Sequence, residues 1–296
     1  MKTPVFTGSA VALVTPFKDN KVDLDKLGEL IEYHIQNGTD AIVVCATTGE
    51  SPTQNTPEHM ATVRYTVEKA AGRIKIIAGT GSNDTPHALY MCQTAEGYGV
   101  DGLLMVTPYY NKTSQHGLVK HYQYVADRVN TPIILYNVPS RTGMKFNVNT
   151  YVELAKHPMI VGSKESSSDM GLIAGTLARV NDGDFYFWSG NDEETVPIMS
   201  LGGKGVISVL ANIMPAETKK MCDLALNGDF ASAAKMQIDF IKLINALFIE
   251  VNPVPIKTAM NLMGFNVGHL RMPLFDMTEE HLETLKSVLR EYGLLK

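Results

Sequence analysis

Short apolar runs rich in β-branched residues alternate along the chain with longer stretches of helical period. The runs begin near Ser9, Ala41, Ile74, Asp101, Pro132, Met159, Phe185 and Gly205. Their mean interval of about 28 residues accommodates one strand, one helix and two short loops. Alternating units of this kind predict a parallel sheet flanked by helices, and eight of them predict an α/β fold closed as a (β/α)8 barrel. A doubly wound sheet has a similar rhythm, but it usually has fewer strands and a glycine-rich first turn. No Gly-x-Gly-x-x-Gly follows the first run here.

Helix boundaries are also legible. Asp23 is an N-cap candidate for a helix whose apolar stripe runs through Leu24, Leu27, Leu30, Ile31 and Ile35 and stops at Asn37-Gly38. A second helix is expected to open at Thr56-Pro57, with Thr56 as cap and Pro57 in the first helical position. The helix after the eighth strand is expected from Pro215 to about Leu226, ending at Asn227-Gly228. Everything beyond reads as helix: Ala231 to about Glu250, a segment after Asn252-Pro253-Val254-Pro255, and Glu279 to about Tyr292. The expected division is a catalytic barrel over 1–228 and a C-terminal helical domain over 229–296.

Composition narrows the class. With 296 residues, 45% hydrophobic and 19% charged, the chain can bury a substantial core. Lys and Arg number 26 against 31 for Asp and Glu, and this net charge of −5 argues against nucleic-acid or anionic-membrane partners. Cys45, Cys92 and Cys222 are odd in number and form no Cys-x-x-Cys pair, so neither a disulfide framework nor a zinc site is indicated. No apolar run approaches the roughly 18 residues of a membrane span, and residues 1–6 carry no signal-peptide pattern. A cytoplasmic location is expected.

In such a barrel the chemistry belongs at the C-terminal ends of the strands. Those positions hold Thr47-Thr48-Gly49-Glu50-Ser51, Thr107-Pro108-Tyr109-Tyr110-Asn111, Tyr136-Asn137-Val138-Pro139-Ser140-Arg141, Lys164-Glu165-Ser166 and Ser189-Gly190-Asn191. None of the eight histidines lies there, so no metal and no cofactor is expected, and these histidines read as helix-surface or capping residues. Gly202-Gly203-Lys204-Gly205 precedes the eighth strand and reads as a tight turn on the opposite face rather than a phosphate cradle. Lys164 is the unusual residue. It ends an apolar run, where burial disfavours an ammonium and favours a neutral nucleophile able to form a Schiff base with a carbonyl substrate. The commoner fate of such a lysine is a salt bridge, here to Glu165. Hydroxyls of Tyr136, Thr47 and Tyr110 could relay the protons that Schiff-base formation requires.

These strand-end motifs, with Gly162-Ser163-Lys164-Glu165-Ser166 and Gly205-Val206-Ile207-Ser208-Val209, resemble the dihydrodipicolinate synthase family of class I pyruvate-dependent aldolases and lyases along nearly the whole chain. The resemblance implies a (β/α)8 barrel with a C-terminal helical domain. It implies that Lys164 forms a Schiff base with pyruvate, that Tyr136 shuttles protons, and that Thr47 links Tyr136 to a Tyr110 reaching in from a neighbouring subunit of a homodimer or homotetramer. It also implies that Thr48 holds the pyruvate carboxylate, that Gly190 and Ile207 line its pocket, and that Arg141 suits a second substrate with its own carboxylate, such as L-aspartate-4-semialdehyde. The implied reaction is their condensation to 4-hydroxy-tetrahydrodipicolinate, a step towards lysine and diaminopimelate.

Two small departures stand beside the reacting groups, Ala46 for a usual glycine and Ser163 for a usual aliphatic residue. In members inhibited by lysine, an acidic residue matches His87, so weak or absent lysine inhibition is expected. The alternatives are an aldolase or lyase acting on 2-keto-3-deoxy sugar acids or N-acetylneuraminate, and a non-catalytic barrel that binds without turnover.

Overall fold

The computed structural model describes residues 1–296. Eight parallel strands close into one barrel: β1 (Gly8–Ala12), β2 (Ala41–Val44), β3 (Lys75–Gly79), β4 (Gly102–Val106), β5 (Ile133–Asn137), β6 (Ile160–Glu165), β7 (Tyr186–Ser189) and β8 (Gly205–Ser208). Each expected run supplies one strand. β1 pairs with both β2 and β8, which shuts the ring. The helices are α1 (Leu24–Gln36), α2 (Thr56–Ala70), α3 (Thr85–Gly97), α4 (Gln115–Ala126), α5 (Pro139–Thr142), α6 (Val148–Ala155), α7 (Met170–Leu177), α8 (Thr195–Ser200), α9 (Pro215–Leu226), α10 (Phe230–Leu247), α11 (Val254–Leu262) and α12 (Glu279–Glu291).

Strand side chains alternate between two apolar layers, as the period of two demands. Ala10, Val43, Ile77, Leu104, Ile134, Trp188 and Ile207 fill the barrel interior. The outward neighbours join the helices in a larger cluster that also takes in Leu243, Ile244, Leu285 and Leu289 from α10 and α12. Each of these fully buried leucine or isoleucine side chains contributes about 1.5–3 kcal/mol, so the C-terminal helices are part of the barrel's own core.

α1 is capped by Asp23, whose Oδ1 accepts from the Lys26 amide at 3.0 Å. α2 differs from expectation: Asn55 is the cap, accepting from the Glu58 amide at 3.0 Å, and Thr56 is already helical. Both residue types cap well and proline is tolerated early in a helix, so the local pattern fits either frame. The last 68 residues are not helical throughout. Between α11 and α12 lies an irregular strap over 263–278, where Gly264, Gly268 and Pro273 interrupt the helical path.

One irregularity in the barrel positions the chemistry. Ile133 pairs with Ile160, but Ile134 pairs with Gly162, so Val161 is an extra residue in β6. Ile160 belongs to the outer layer and Val161 to the inner one. The bulge resets the alternation, putting Lys164 beside inward Tyr136 and Glu165 beside Asn137. Glycine is required at 162, where a Cβ would lie 2.1 Å from the Tyr186 carbonyl oxygen.

Candidate active site

Lys164 and Tyr136 meet inside the top of the barrel. Their strands pair them directly, and the Lys164 Nζ lies 4.4 Å from the Tyr136 ring centroid. Lys164 is only 4% exposed. No salt bridge to Glu165 forms, because consecutive residues of a strand face opposite ways. The room for Lys164 comes from Gly190 at the end of β7: a Cβ there would stand 2.9 Å from the Lys164 Cε and 2.0 Å from the Ser166 Oγ. Ile207, on β8, is fully buried in the same interior layer. Asp192 is buried nearby and accepts from the Val209 and Leu210 amides at 3.0 Å each, which ties the loop after β7 to the end of β8. Burial raises its carboxyl above the usual range, while Ser208, these amides and the charge of Lys164 pull it down.

A cavity of about 480 Å3 opens at this end of the barrel, lined among others by Thr47, Tyr109, Arg141 and Asn252. Thr48 is buried, and its Oγ1 accepts from the Asn252 Nδ2 at 3.0 Å. Because Thr48 accepts in this bond, its own hydroxyl proton is left to donate to an anion. Arg141 donates through Nη2 to the Asn252 carbonyl at 2.9 Å. Asn252, which precedes Pro253 between α10 and α11, thus touches both residues assigned to carboxylates and was not among the expected site residues.

The loop carrying Thr47 and Thr48 is fastened from the C-terminal side as well. Glu50 has a left-handed backbone, φ 54°, and is fully enclosed. Its Oε1 meets the Lys257 Nζ at 2.7 Å, and its Oε2 accepts from the Arg271 amide at 2.9 Å. Arg271 reaches on to Glu58 and lies 3.9 Å over Phe17. Burial lowers Lys257 to about 8 even with Glu50 beside it. Glu50 lies within an expected motif, but its partners come from distant positions that no local pattern marks.

Tyr110 does not enter the site of its own chain. It is 94% exposed, with φ 69°, and points away from the fold. The histidines correct another expectation: His34, His59 and His121 are buried rather than superficial. The first packs beside Thr39, the second bonds the Gly79 carbonyl at 2.8 Å, and the third meets Thr85 at 2.8 Å. Gly202 and Gly203 form the turn into β8 that the sequence suggests, both amides bonding back to α8. No group of three or more His, Cys, Asp or Glu side chains is arranged to hold a metal ion.

Comparison with known proteins gives one answer. Residues 5–292 match the Dihydrodipicolinate synthetase family. A 4-hydroxy-tetrahydrodipicolinate synthase from Thermoanaerobacter pseudethanolicus is 56% identical over 294 residues, covering 99% of each chain. The crystal structure of dihydrodipicolinate synthase from Aquifex aeolicus superposes with a TM-score of 0.96 at 48% identity, covering 98% of this chain and 99% of that one. The Acinetobacter baumannii synthase, solved with pyruvate, superposes at 0.95 with 40% identity, covering 98% and 99%. With its barrel, its C-terminal helices and nearly its entire length matched, this chain belongs to the dihydrodipicolinate synthetase family.

Proposed function

We propose that the chain condenses pyruvate with L-aspartate-4-semialdehyde to 4-hydroxy-tetrahydrodipicolinate through a Schiff base on Lys164. The observation that carries this reading is the enclosed pair of Lys164 and Tyr136 at the C-terminal end of the barrel, in a chain closely related to synthases of this name.

In this reading the Lys164 Nζ adds to the keto carbon of pyruvate, and the Tyr136 hydroxyl passes protons as the carbinolamine forms and loses water. The resulting iminium loses a methyl proton and becomes an enamine, which attacks the aldehyde carbon of the second substrate. That substrate's amine then adds to the iminium carbon and expels Lys164, closing the ring. Thr48 donates to the pyruvate carboxylate, with Gly190 and Ile207 shaping the pocket around it, and Arg141 forks onto the second carboxylate. Thr47 and a Tyr110 supplied by a second copy extend the relay, which gives an exposed tyrosine a use.

Trapping with pyruvate and borohydride tests the central step. Mass spectrometry should find the reduced adduct on Lys164, and an unmodified Lys164 would refute the reading. A sugar-acid aldolase would give the same adduct, so turnover separates the two: vigorous cleavage of 2-keto-3-deoxy sugar acids with no use of aspartate semialdehyde would favour the aldolase.

A further inference from the structure

On the outer wall of the barrel, directly behind the Lys164–Tyr136 pair, sits a second cross-strand pair. Asn137 and Glu165 are register partners one residue further along the same two strands. Asn137 Nδ2 donates to Glu165 Oε1 at 2.9 Å, and both residues are fully enclosed. The same carboxylate accepts from the Ser167 amide at 3.0 Å and from the Tyr151 hydroxyl of α6 at 2.8 Å. Ser163, which departs from the aliphatic residue usual there, meets the Tyr151 hydroxyl at 3.0 Å. All three partners of Glu165 donate to it, which counters the burial that raises its carboxyl above the usual range, and no Lys, Arg or His bonds to it. A buried carboxylate without a cation is costly unless it is fully hydrogen-bonded.

We propose that Glu165 is a positioning residue for the reaction: its bond to Asn137 fixes the relative height of β5 and β6 and thereby sets Lys164 against Tyr136. This rests on the Schiff-base reading above. The bulge at Val161 makes such a fastening necessary, since a strand with an extra residue has a competing register one step away. The bond lies one residue beyond the reacting pair, at the last register partners of the two strands, where the Ser166 amide makes a closing backbone bond to the Asn137 carbonyl at 2.8 Å. Tyr151 approaches the same carboxylate from the helix side and does not bridge the two strands, so the two arms of the network have separable consequences.

The test compares Asn137→Ala with Tyr151→Phe in the full chain. Both remove a donor from Glu165 and both should lower the melting temperature. Only Asn137→Ala should lower kcat, by about tenfold or more, the equivalent of one lost hydrogen bond, with the pyruvate KM within about twofold of the parent. It should also slow borohydride-trapped adduct formation on Lys164. Asn137→Gln, which can still donate to Glu165, should recover part of that rate. Equal loss of kcat in both variants, or loss that simply follows melting temperature, would overturn the proposal in favour of a purely structural role. The outcome is separable from the reading it rests on, because absence of any adduct in the parent protein would instead defeat the Schiff-base mechanism.

Discussion

Tyr136 and Lys164 are register partners on adjoining strands, with the lysine nitrogen 4.4 Å from the centre of the tyrosine ring. The tyrosine ring packs against the lysine nitrogen and carries a hydroxyl besides, so packing and proton transfer are separable contributions of one residue. Tyr136→Phe keeps the first and removes the second. We expect kcat to fall by about 100-fold or more, the usual scale of a general acid or base, with the fold intact and slow adduct formation still detectable on Lys164. Unchanged kcat in a steady-state assay would remove Tyr136 from the relay.

Gly190→Ala is predicted to damage the nucleophile without touching it chemically. The added methyl would stand 2.9 Å from Lys164 Cε and 2.0 Å from Ser166 Oγ, distances no van der Waals contact permits. Lys164 or the end of β7 must shift, and misplacement on the ångström scale costs about 100-fold in rate. The yield of trapped pyruvate adduct measures this directly.

Arg141 is aimed by the Asn252 carbonyl, which leaves the rest of its fork free for a carboxylate. Arg141→Lys retains charge but loses bidentate geometry. The expected result is a fall of about tenfold to 100-fold in kcat/KM for aspartate semialdehyde, worth roughly 1.5–3 kcal/mol, with the pyruvate KM little changed. An equal loss for both substrates would place Arg141 elsewhere in the mechanism.

Lysine should be a poor inhibitor. Among the cavity-lining residues Ser51, His59, His87 and Tyr109, none is acidic, and the one carboxylate there, Glu50, is paired with Lys257 and the Arg271 amide. Burial lowers His59 to about 4, so it is neutral at ordinary pH and still supplies no negative charge. An ammonium entering this cavity meets no free anion. Initial rates with millimolar lysine should stay within about twofold of the control, since the charge-assisted bond is missing.

Acid stability follows from the buried histidines. Burial lowers His59 and His121 to about 4 and His34 to about 3, each from 6.5. The unfolded chain therefore binds more protons than the folded one below pH 6.5, and stability must fall as pH drops from 6.5 towards 4 and 3. A shift of this size in one buried group is worth on the order of 3 kcal/mol. Melting temperature measured across that range should decline steeply, and His121→Asn should flatten part of the slope.

The strands were legible because each buries an apolar run between two turn signals, and a parallel barrel needs little else from sequence. Lys164 was conspicuous as a charge at the end of such a run. Asn252, Lys257 and Arg271 were not, since their meaning lies in partners about 200 residues away, Thr48 and Glu50, and neither periodicity nor spacing encodes contacts at that distance. Three histidines misled for a related reason: a helix position is buried or exposed according to what packs on it, and His34, His59 and His121 each face an inward hydroxyl or carbonyl. The irregular strap over 263–278 resembled helix because its flanks are helical.

The extra residue at Val161 makes the facing of Lys164 a matter of counting parity. Four positions separate Ile160 from Lys164, so an unbroken alternation would give both the same facing; the one unpaired residue is what sets the isoleucine against the helices and the lysine inside the barrel. In this chain the placement of the nucleophile is written as much in the number of residues before it as in their identity.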